Sequence, residues 1–384
     1  MKSILKKTLS LAVGVVGMAA VVQAQPEVAL VTRGGIPLDP AQYDSILIPF
    51  GGTPAKLLTD GTAFASVAGM GGTSAFTKWK LKDGAQVIPP LAGETLVALG
   101  DNGDIAGVYQ VNVPTKGGAQ TNGGLAGGIG AISYRTAPST VNGVVSPGRP
   151  VKWPFRTIVG SPARMSRGIL YLNTWGNNTV QPAMWLPGDT VLNALPMSDN
   201  ADSAYVLNSS PNGKYAAGYE VIAGLPKARV WERAADGRHF LPRQLNTGTH
   251  PAYAADVADN GVVAVTVRDY PGASSHACRW EIVSGKILDL GPGIASATNG
   301  YDIVGNVPVT SASSAGAQTN GGTITTTYAA EWRQAGGPPV MLTKVTEPPS
   351  GEGAVWFTDA TGIDGGGNVT VITDDNRTLF LDRR

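Results

Sequence analysis

Cysteine, histidine and charge are all scarce in this chain, and each scarcity removes a class of function. Among 384 residues there is one cysteine, Cys278. A single thiol forms no intramolecular disulfide, so packing and hydrogen bonds must hold the fold even in an oxidising compartment. Cys278 lies in the β-prone stretch 277–280 and reads as a buried, inert thiol. The three histidines, His239, His250 and His276, make no His-x-x-x-His, His-Glu-x-x-His or Cys/His pattern, so no metal site is expected. Charged residues are 15% of the chain and the net charge is +1, which points to neither nucleic acid nor an anionic membrane as partner. No Gly-x-Ser-x-Gly elbow is present, so the serine hydrolases of that class lack their signature. The glycine-rich stretch 124–130 is followed by no helical pattern, whereas a phosphate cradle needs a helix N-terminus beyond the turn. Asp101-Asn-Gly-Asp104 lacks the spaced carboxylates and closing Glu of a calcium loop. No cofactor is expected.

Long apolar runs are also missing, except at the start. Lys2, Lys6 and Lys7 precede the apolar stretch from Leu9 to Val22, and Val22-Gln-Ala24 supplies a cleavage site before Gln25. Residues 1–24 read as an export signal, which places the mature chain, 25–384, in the periplasm or outside the cell. No later stretch approaches the length of a membrane span, so no insertion after cleavage is expected.

What the chain does hold is glycine, 51 residues, and proline, 27 residues, the composition of many tight turns between short strands. Asp60-Gly61, Asn102-Gly103, Asn212-Gly213, Asn260-Gly261 and Asn299-Gly300 each precede a short β-prone run. Asx-Gly suits a two-residue type I′ hairpin, whose central residues both need positive φ. Residues 203–245 show one whole unit: strands near 203–208, 214–220, 227–231 and 238–245 around short turns. An aromatic residue ends the third strand and recurs at Trp79, Tyr134, Trp185, Trp231, Trp280, Trp332 and Phe380, at intervals of 46 to 55 residues. That period suits a four-stranded propeller blade. The prediction is an all-β, seven-bladed β-propeller of four-stranded blades, one domain over 25–384. The last unit lacks a fourth strand, and 45–50 resembles a fourth strand with no unit before it. This N-terminal strand is expected to complete the last blade and close the ring, which removes two exposed edges. Residues 136–160 read as an enlarged region between a third and a fourth strand, with a partial extra hairpin as the alternative.

Ala228-Arg-Val-Trp231 and Ala277-Cys-Arg-Trp280 share an Ala-x-x-Trp pattern, and Ser203 to Gly218 approximates Ser-x-Ala-x-x-Asn-x-x-Gly-x-x-x-Gly. On these residues the chain resembles the HAF-type extracellular repeat family over most of 50–384. Tyr134 and Phe380 depart from the Trp, and Gly168 and Gly367 lack the preceding Asn. The resemblance implies a secreted propeller and supplies no catalytic residue.

Two units are swollen between their second and third strands, and both insertions carry Gly-Ala-Gln-Thr-Asn-Gly-Gly, at 118–124 and 316–322. Gln120, Thr121, Asn122, Gln318, Thr319 and Asn320 offer amides and hydroxyls suited to a polar ligand. Trp175 falls outside the repeated aromatic position, beside the polar run Asn173 to Thr179, and is the candidate for an exposed aromatic contact. Three functions remain open. The first is a non-enzymatic, monomeric scaffold that binds a polysaccharide, peptide or protein on its loop-rich face. The second is a secreted polysaccharide hydrolase or lyase with carboxylates near the central channel. The third is a structural envelope or matrix protein.

Overall fold

The computed structural model describes residues 43–50, 55–68, 74–111, 129–135, 151–153, 157–160, 164–176, 179–268, 275–311, 324–334, 339–342 and 357–383. Among them every helix or strand element is a β-strand. β1 (Tyr43–Ile48) comes first. β2 (Lys56–Leu57), β3 (Ala63–Ala68), β4 (Ser74–Lys80) and β5 (Gly84–Ile88) form a four-stranded sheet in chain order. β6 (Glu94–Gly100), β7 (Ile105–Val111), β8 (Ile129–Arg135), β9 (Val151–Trp153), β10 (Thr157–Gly160), β11 (Arg164–Ser166), β12 (Ile169–Gly176), β13 (Thr179–Trp185) and β14 (Asn193–Ala194) share one nine-stranded sheet. Three further four-stranded sheets or their parts follow. β15 (Ala201–Ser209), β16 (Tyr215–Ile222), β17 (Leu225–Arg233) and β18 (Phe240–Gln244) make one. β19 (Ala252–Val257), β20 (Val262–Arg268), β21 (Ser275–Glu281) and β22 (Ile287–Pro292) make the next. β23 (Ile294–Thr298), β24 (Ile303–Ser311), β25 (Ile324–Trp332) and β26 (Val340–Met341) make the third. The last sheet has β27 (Phe357–Ile363), β28 (Val369–Thr373) and β29 (Thr378–Arg383), with β1 outermost.

β1 runs antiparallel along β29 from Tyr43↔Arg383 to Ile48↔Thr378. The outer edge of the last sheet is thus paired by the chain's own first strand. Inside the nine-stranded sheet, β6 to β9 and β11 to β14 are each antiparallel in chain order. The two runs meet only where β11 lies parallel to β6, at Arg164↔Leu99 and Met165↔Gly100. β10 and β11 both pair with β12, as two pieces of one inner strand. This resolves the region around Trp153: Val151–Trp153 pairs with β8 as a fourth strand, whereas Thr157–Gly160 already belongs to the next run.

The turns differ from the expected type I′. Among the Asx-Gly residues only the glycines have positive φ, as at Gly61 (80°) and Gly261 (81°). Gly61 N donates to Leu58 O while Leu58 N donates to Thr62 O, and Ala258, Gly261 and Val262 repeat the pattern. This is a type I turn closed by a left-handed glycine, the three-residue hairpin loop. The Asx oxygen then accepts the amide two residues on: Asp60 from Thr62 at 2.9 Å, Asn212 from Lys214 at 2.8 Å, Asn260 from Val262 at 3.2 Å, Asn299 from Tyr301 at 2.9 Å. The side chain mimics a backbone turn, which explains Asn or Asp before the glycine.

The third-strand aromatics fill the seams between neighbouring sheets. Trp231 of β17 packs with Tyr171 of β12 and Met184 of β13, and Trp280 of β21 packs with Tyr215 of β16. Trp79 of β4 meets Phe380 of β29, ring centroids 5.1 Å apart, which joins the first complete sheet to the last. Burial of such a ring contributes several kcal/mol, since truncating a core aromatic costs about 3–5 kcal/mol. Five first strands carry a register shift at the same place: Leu96/Ala98, Val206/Asn208, Ala254/Asp256, Ala295/Ala297 and Ala360/Gly362. Such bulges sharpen twist and bend the strand. The first strands touch in turn from β6 through β11, β15, β19 and β23 to β27, and β27 meets β2. Twisted antiparallel sheets arranged in chain order about their first strands, with the last meeting the first, make a β-propeller.

Candidate functional site

Antiparallel order gives the ring two ends. At one, the turn end, lie the Asx-Gly turns between first and second strands. At the other, the loop end, lie the connections from second to third strands and the crossings from sheet to sheet.

At the turn end, neighbouring turns are linked side by side. Thr59 N and Oγ1 donate to Asp101 Oδ1, at 3.0 and 2.8 Å. Asn212 N donates to Asp259 at 2.8 Å, Asn260 Nδ2 to Gly300 O at 2.9 Å, and Asn299 Nδ2 to Asp364 O at 3.1 Å. A recess at this end is lined by Lys56, Asn208, Asp256, Ala297 and Thr361, from first strands of five sheets' worth of chain. Its free volume is about 10 Å³, room for one water and not for a sugar ring. One Asp256 oxygen accepts from Thr298 N at 3.0 Å, and Thr361 Oγ1 donates to Ala55 O at 2.9 Å. Asp359, earlier on β27, accepts from Asn306 Nδ2 at 3.1 Å. Burial raises its pKa above the usual carboxylate range, against the opposing pull of Asn306 and Lys56.

The loop end carries the sequence candidates. Residues 112–128 join β7 to β8, and 312–323 join β24 to β25, whereas Ala223 and Gly224 alone join β16 to β17. Both long connections leave from hairpin bases paired to their last residues, Val111↔Ile129 and Ser311↔Ile324. Gln120, Thr121, Asn122, Gln318, Thr319 and Asn320 themselves lie outside the described residues. Trp175 sits near the loop end of β12, its backbone paired with Thr157 and Val180. Its side chain is also outside the described features.

One group at this end escaped the sequence reading. Tyr205 on β15 stacks on Tyr219 of β16, centroids 4.9 Å apart at 19°. Tyr219 meets the edge of Tyr253, on β19 of the next sheet, at 5.0 Å and 72°. The Arg268 guanidinium lies over Tyr253, 5.1 Å from its centroid. All three rings are partly exposed and Arg268 is exposed. Burial, with the neighbouring tyrosines, pushes Tyr219 up to about 12, so its phenol stays protonated at neutral pH. The available signal was Tyr205 and Tyr219 on the two arms of one hairpin.

Structural ion pairs account for the most buried charges near the loop end. Arg135 pairs with Glu94, and Arg229 with Glu220 at 3.2 Å, all four nearly inaccessible. Glu220 also accepts from Ser198 N at 3.0 Å, which pins the crossing from β14 to β15. Among the described residues no cluster of His, Cys, Asp and Glu could hold a metal ion, and no helix is long and apolar enough to cross a membrane.

No family model matches the chain, nor does any curated protein. Solved structures do resemble it. An acylaminoacyl peptidase of Pyrococcus horikoshii is 9% identical with a TM-score of 0.51, over 89% of this chain and 52% of the peptidase. The β-propeller domain of the Trilobed protease from Pyrococcus furiosus is 11% identical with a TM-score of 0.46, over 86% of this chain and 97% of that domain. TolB from Acinetobacter baumannii is 10% identical with a TM-score of 0.36, over 86% of each chain. At such identities the likeness concerns fold alone, and this chain spans about half of the peptidase.

Proposed function

We propose that this chain is an exported, non-enzymatic β-propeller that binds a polysaccharide, peptide or protein at its loop end. The observation that carries the reading is the pair of long second-to-third-strand connections, 112–128 and 312–323, which bear one heptapeptide in two sheets. A rigid sheet scaffold presenting variable loops is a common way to build a binding face. The recess at the turn end, with a free volume of about 10 Å³, supports this over catalysis at that end of the channel.

The reading takes the ring as seven blades. Cutting the nine-stranded sheet at the parallel β6–β11 contact leaves two blades, which join the five four-stranded sheets. It takes 1–24 as a cleaved signal, the mature protein as a periplasmic or secreted monomer, and the repeat as HAF-type.

The test is to incubate residues 25–384 with a panel of polysaccharides and peptides and to score binding and product release together. Binding without turnover, lost when 118–124 and 316–322 are deleted, is the expected result. Product release would replace the scaffold by the hydrolase or lyase. A folded protein that binds no panel member would favour the envelope or matrix role.

A further inference from the structure

Asn–Gly pairs stand at the turn end at 102–103, 212–213, 260–261 and 299–300. The dipeptide is chemically labile as well as turn-forming, because glycine has no Cβ to shield its nitrogen. In deamidation the glycine nitrogen attacks the asparagine side-chain carbonyl carbon. Its proton passes to solvent and the side-chain amide leaves as ammonia. Water then opens the cyclic imide at one or the other carbonyl, giving aspartate or isoaspartate. Water is the only other reactant.

The folded turns hold the reacting groups apart. Gly103, Gly213 and Gly261 N donate backwards to Gly100, Ser210 and Ala258 O at 2.8, 2.8 and 3.0 Å, and Gly300 N donates to Thr298 Oγ1 at 3.0 Å. The asparagine oxygens are held forwards, Asn299 Oδ1 by Tyr301 N at 2.9 Å and Asp302 N at 2.8 Å. Attack therefore needs the turn to open, an event of local unfolding.

The product matters more at some turns than at others. Asn212 uses its oxygen, on Lys214 N and Ser210 Oγ, and an aspartate oxygen serves the same turn at Asp60. Asn102 Nδ2 stays within its own turn, on Asp104 at 2.7 Å. Asn260 and Asn299 instead donate to the following sheet, to Gly300 O at 2.9 Å and Asp364 O at 3.1 Å. These two bonds hold the turn end of the β23–β26 sheet, one on each side. An aspartate has no proton to give there, and its charge would face a carbonyl oxygen. Gly300 O keeps Arg279 Nη2 at 3.3 Å, a cation that also attracts a new carboxylate. Asp364 O keeps only a backbone donor among the described residues, Gly367 N at 3.1 Å, and Asp364 is itself a buried acid.

We infer that Asn299 is a modification site at which deamidation irreversibly unlatches the β23–β26 sheet from the last sheet at the turn end. Asn260 is a weaker copy of it, and Asn212 is a silent one.

Ageing residues 25–384 in mildly alkaline buffer, folded and in urea, with peptide mass spectrometry at each Asn–Gly pair, tests it. Folded chains should convert about tenfold or more slowly than unfolded ones. The aged folded sample is then treated with a protease that digests only opened chains. Survivors should be depleted of chains converted at 299 and not of chains converted at 212. Asn299→Asp should lower Tm by several degrees, Asn260→Asp by less, and Asn212→Asp by about a degree at most. Equal conversion of folded and unfolded chains would overturn the inference, as would no conversion at 299 in the aged folded protein. Chains converted at 299 spread evenly between survivors and digest would overturn it too, as would Asn299→Asp melting with Asn212→Asp. If Asn299→Asp does not fold, the protease comparison on the aged wild type decides.

Discussion

The hydroxyl of Tyr43 donates a hydrogen bond to Glu331 at 3.0 Å, across 288 residues of sequence. Tyr43 belongs to the strand that closes the last sheet, and Glu331 to the sheet before it. Glu331 is fully buried and also meets Arg333 at 3.2 Å and Arg383 at 3.6 Å, while Arg383 reaches Asp302 at 3.2 Å. The closing strand is therefore tied to two sheets at once. Tyr43→Phe keeps the ring and removes the donor to a buried carboxylate. It should lower stability by about 1–3 kcal/mol in urea unfolding, with the m-value unchanged. An unchanged midpoint would show that the bond contributes nothing to closure.

Alkaline pH should unfold the protein through its tyrosines. Burial, then Glu331, raises Tyr43; burial, then Asp104, raises Tyr134; burial raises Tyr171; and burial with Tyr205 and Tyr253 raises Tyr219 to about 12. A phenol with a raised folded pKa contributes stability that is full below its unfolded pKa, about 10, and is lost as pH rises towards the folded value. Stability should fall above pH of about 10, and tyrosinate absorbance should show late-titrating rings that ionise with unfolding. Ionisation of all the tyrosines near pH 10 in the folded protein would contradict this.

Asp359 should behave in the opposite sense to a salt-bridged carboxylate. Its folded pKa is raised by burial, so the stability linked to it is present in acid and lost as pH rises through that value. Asp359→Asn, which can still accept from Asn306, should be more stable than wild type at neutral pH, with the gain vanishing at low pH. A variant less stable at neutral pH would mean that the charge is used.

Gly218 tests the packing of the first strand on the second. A Cβ there would lie 1.8 Å from the Tyr205 carbonyl oxygen, a backbone atom with nowhere to go. Gly218→Ala should cost about 3 kcal/mol or more, at the upper end of overpacking effects, and should displace Tyr205 from Tyr219. A thermal midpoint within a degree or so of wild type would refute the close approach.

The repeat was legible because its signals are local. An Asx-Gly turn and a third-strand aromatic can be read residue by residue, and the aromatics do lie on third strands, as Trp231 does on β17. The role of 45–50 was readable from a last unit one strand short. The turn type was not, because Asn260-Gly261 is compatible with two loops, and the Asn260 oxygen on Val262 N selects the longer one. The inner strand of the third run was hidden because it is split into β10 and β11, with no Asx-Gly before Gly168. The tyrosine cluster was hidden because alternation assigns faces within one strand, whereas Tyr219 and Tyr253 meet across two sheets, and the shift at Val206/Asn208 alters the simple hairpin register.

Hydrogen exchange, with and without a saturating bound polysaccharide or peptide from the panel, tests the central claim most directly. The account predicts new protection at the loop end, in peptides covering 112–128 and 312–323. Protection centred instead on Lys56, Asp256 and the Asx-Gly turns would place the ligand at the turn end and contradict the account.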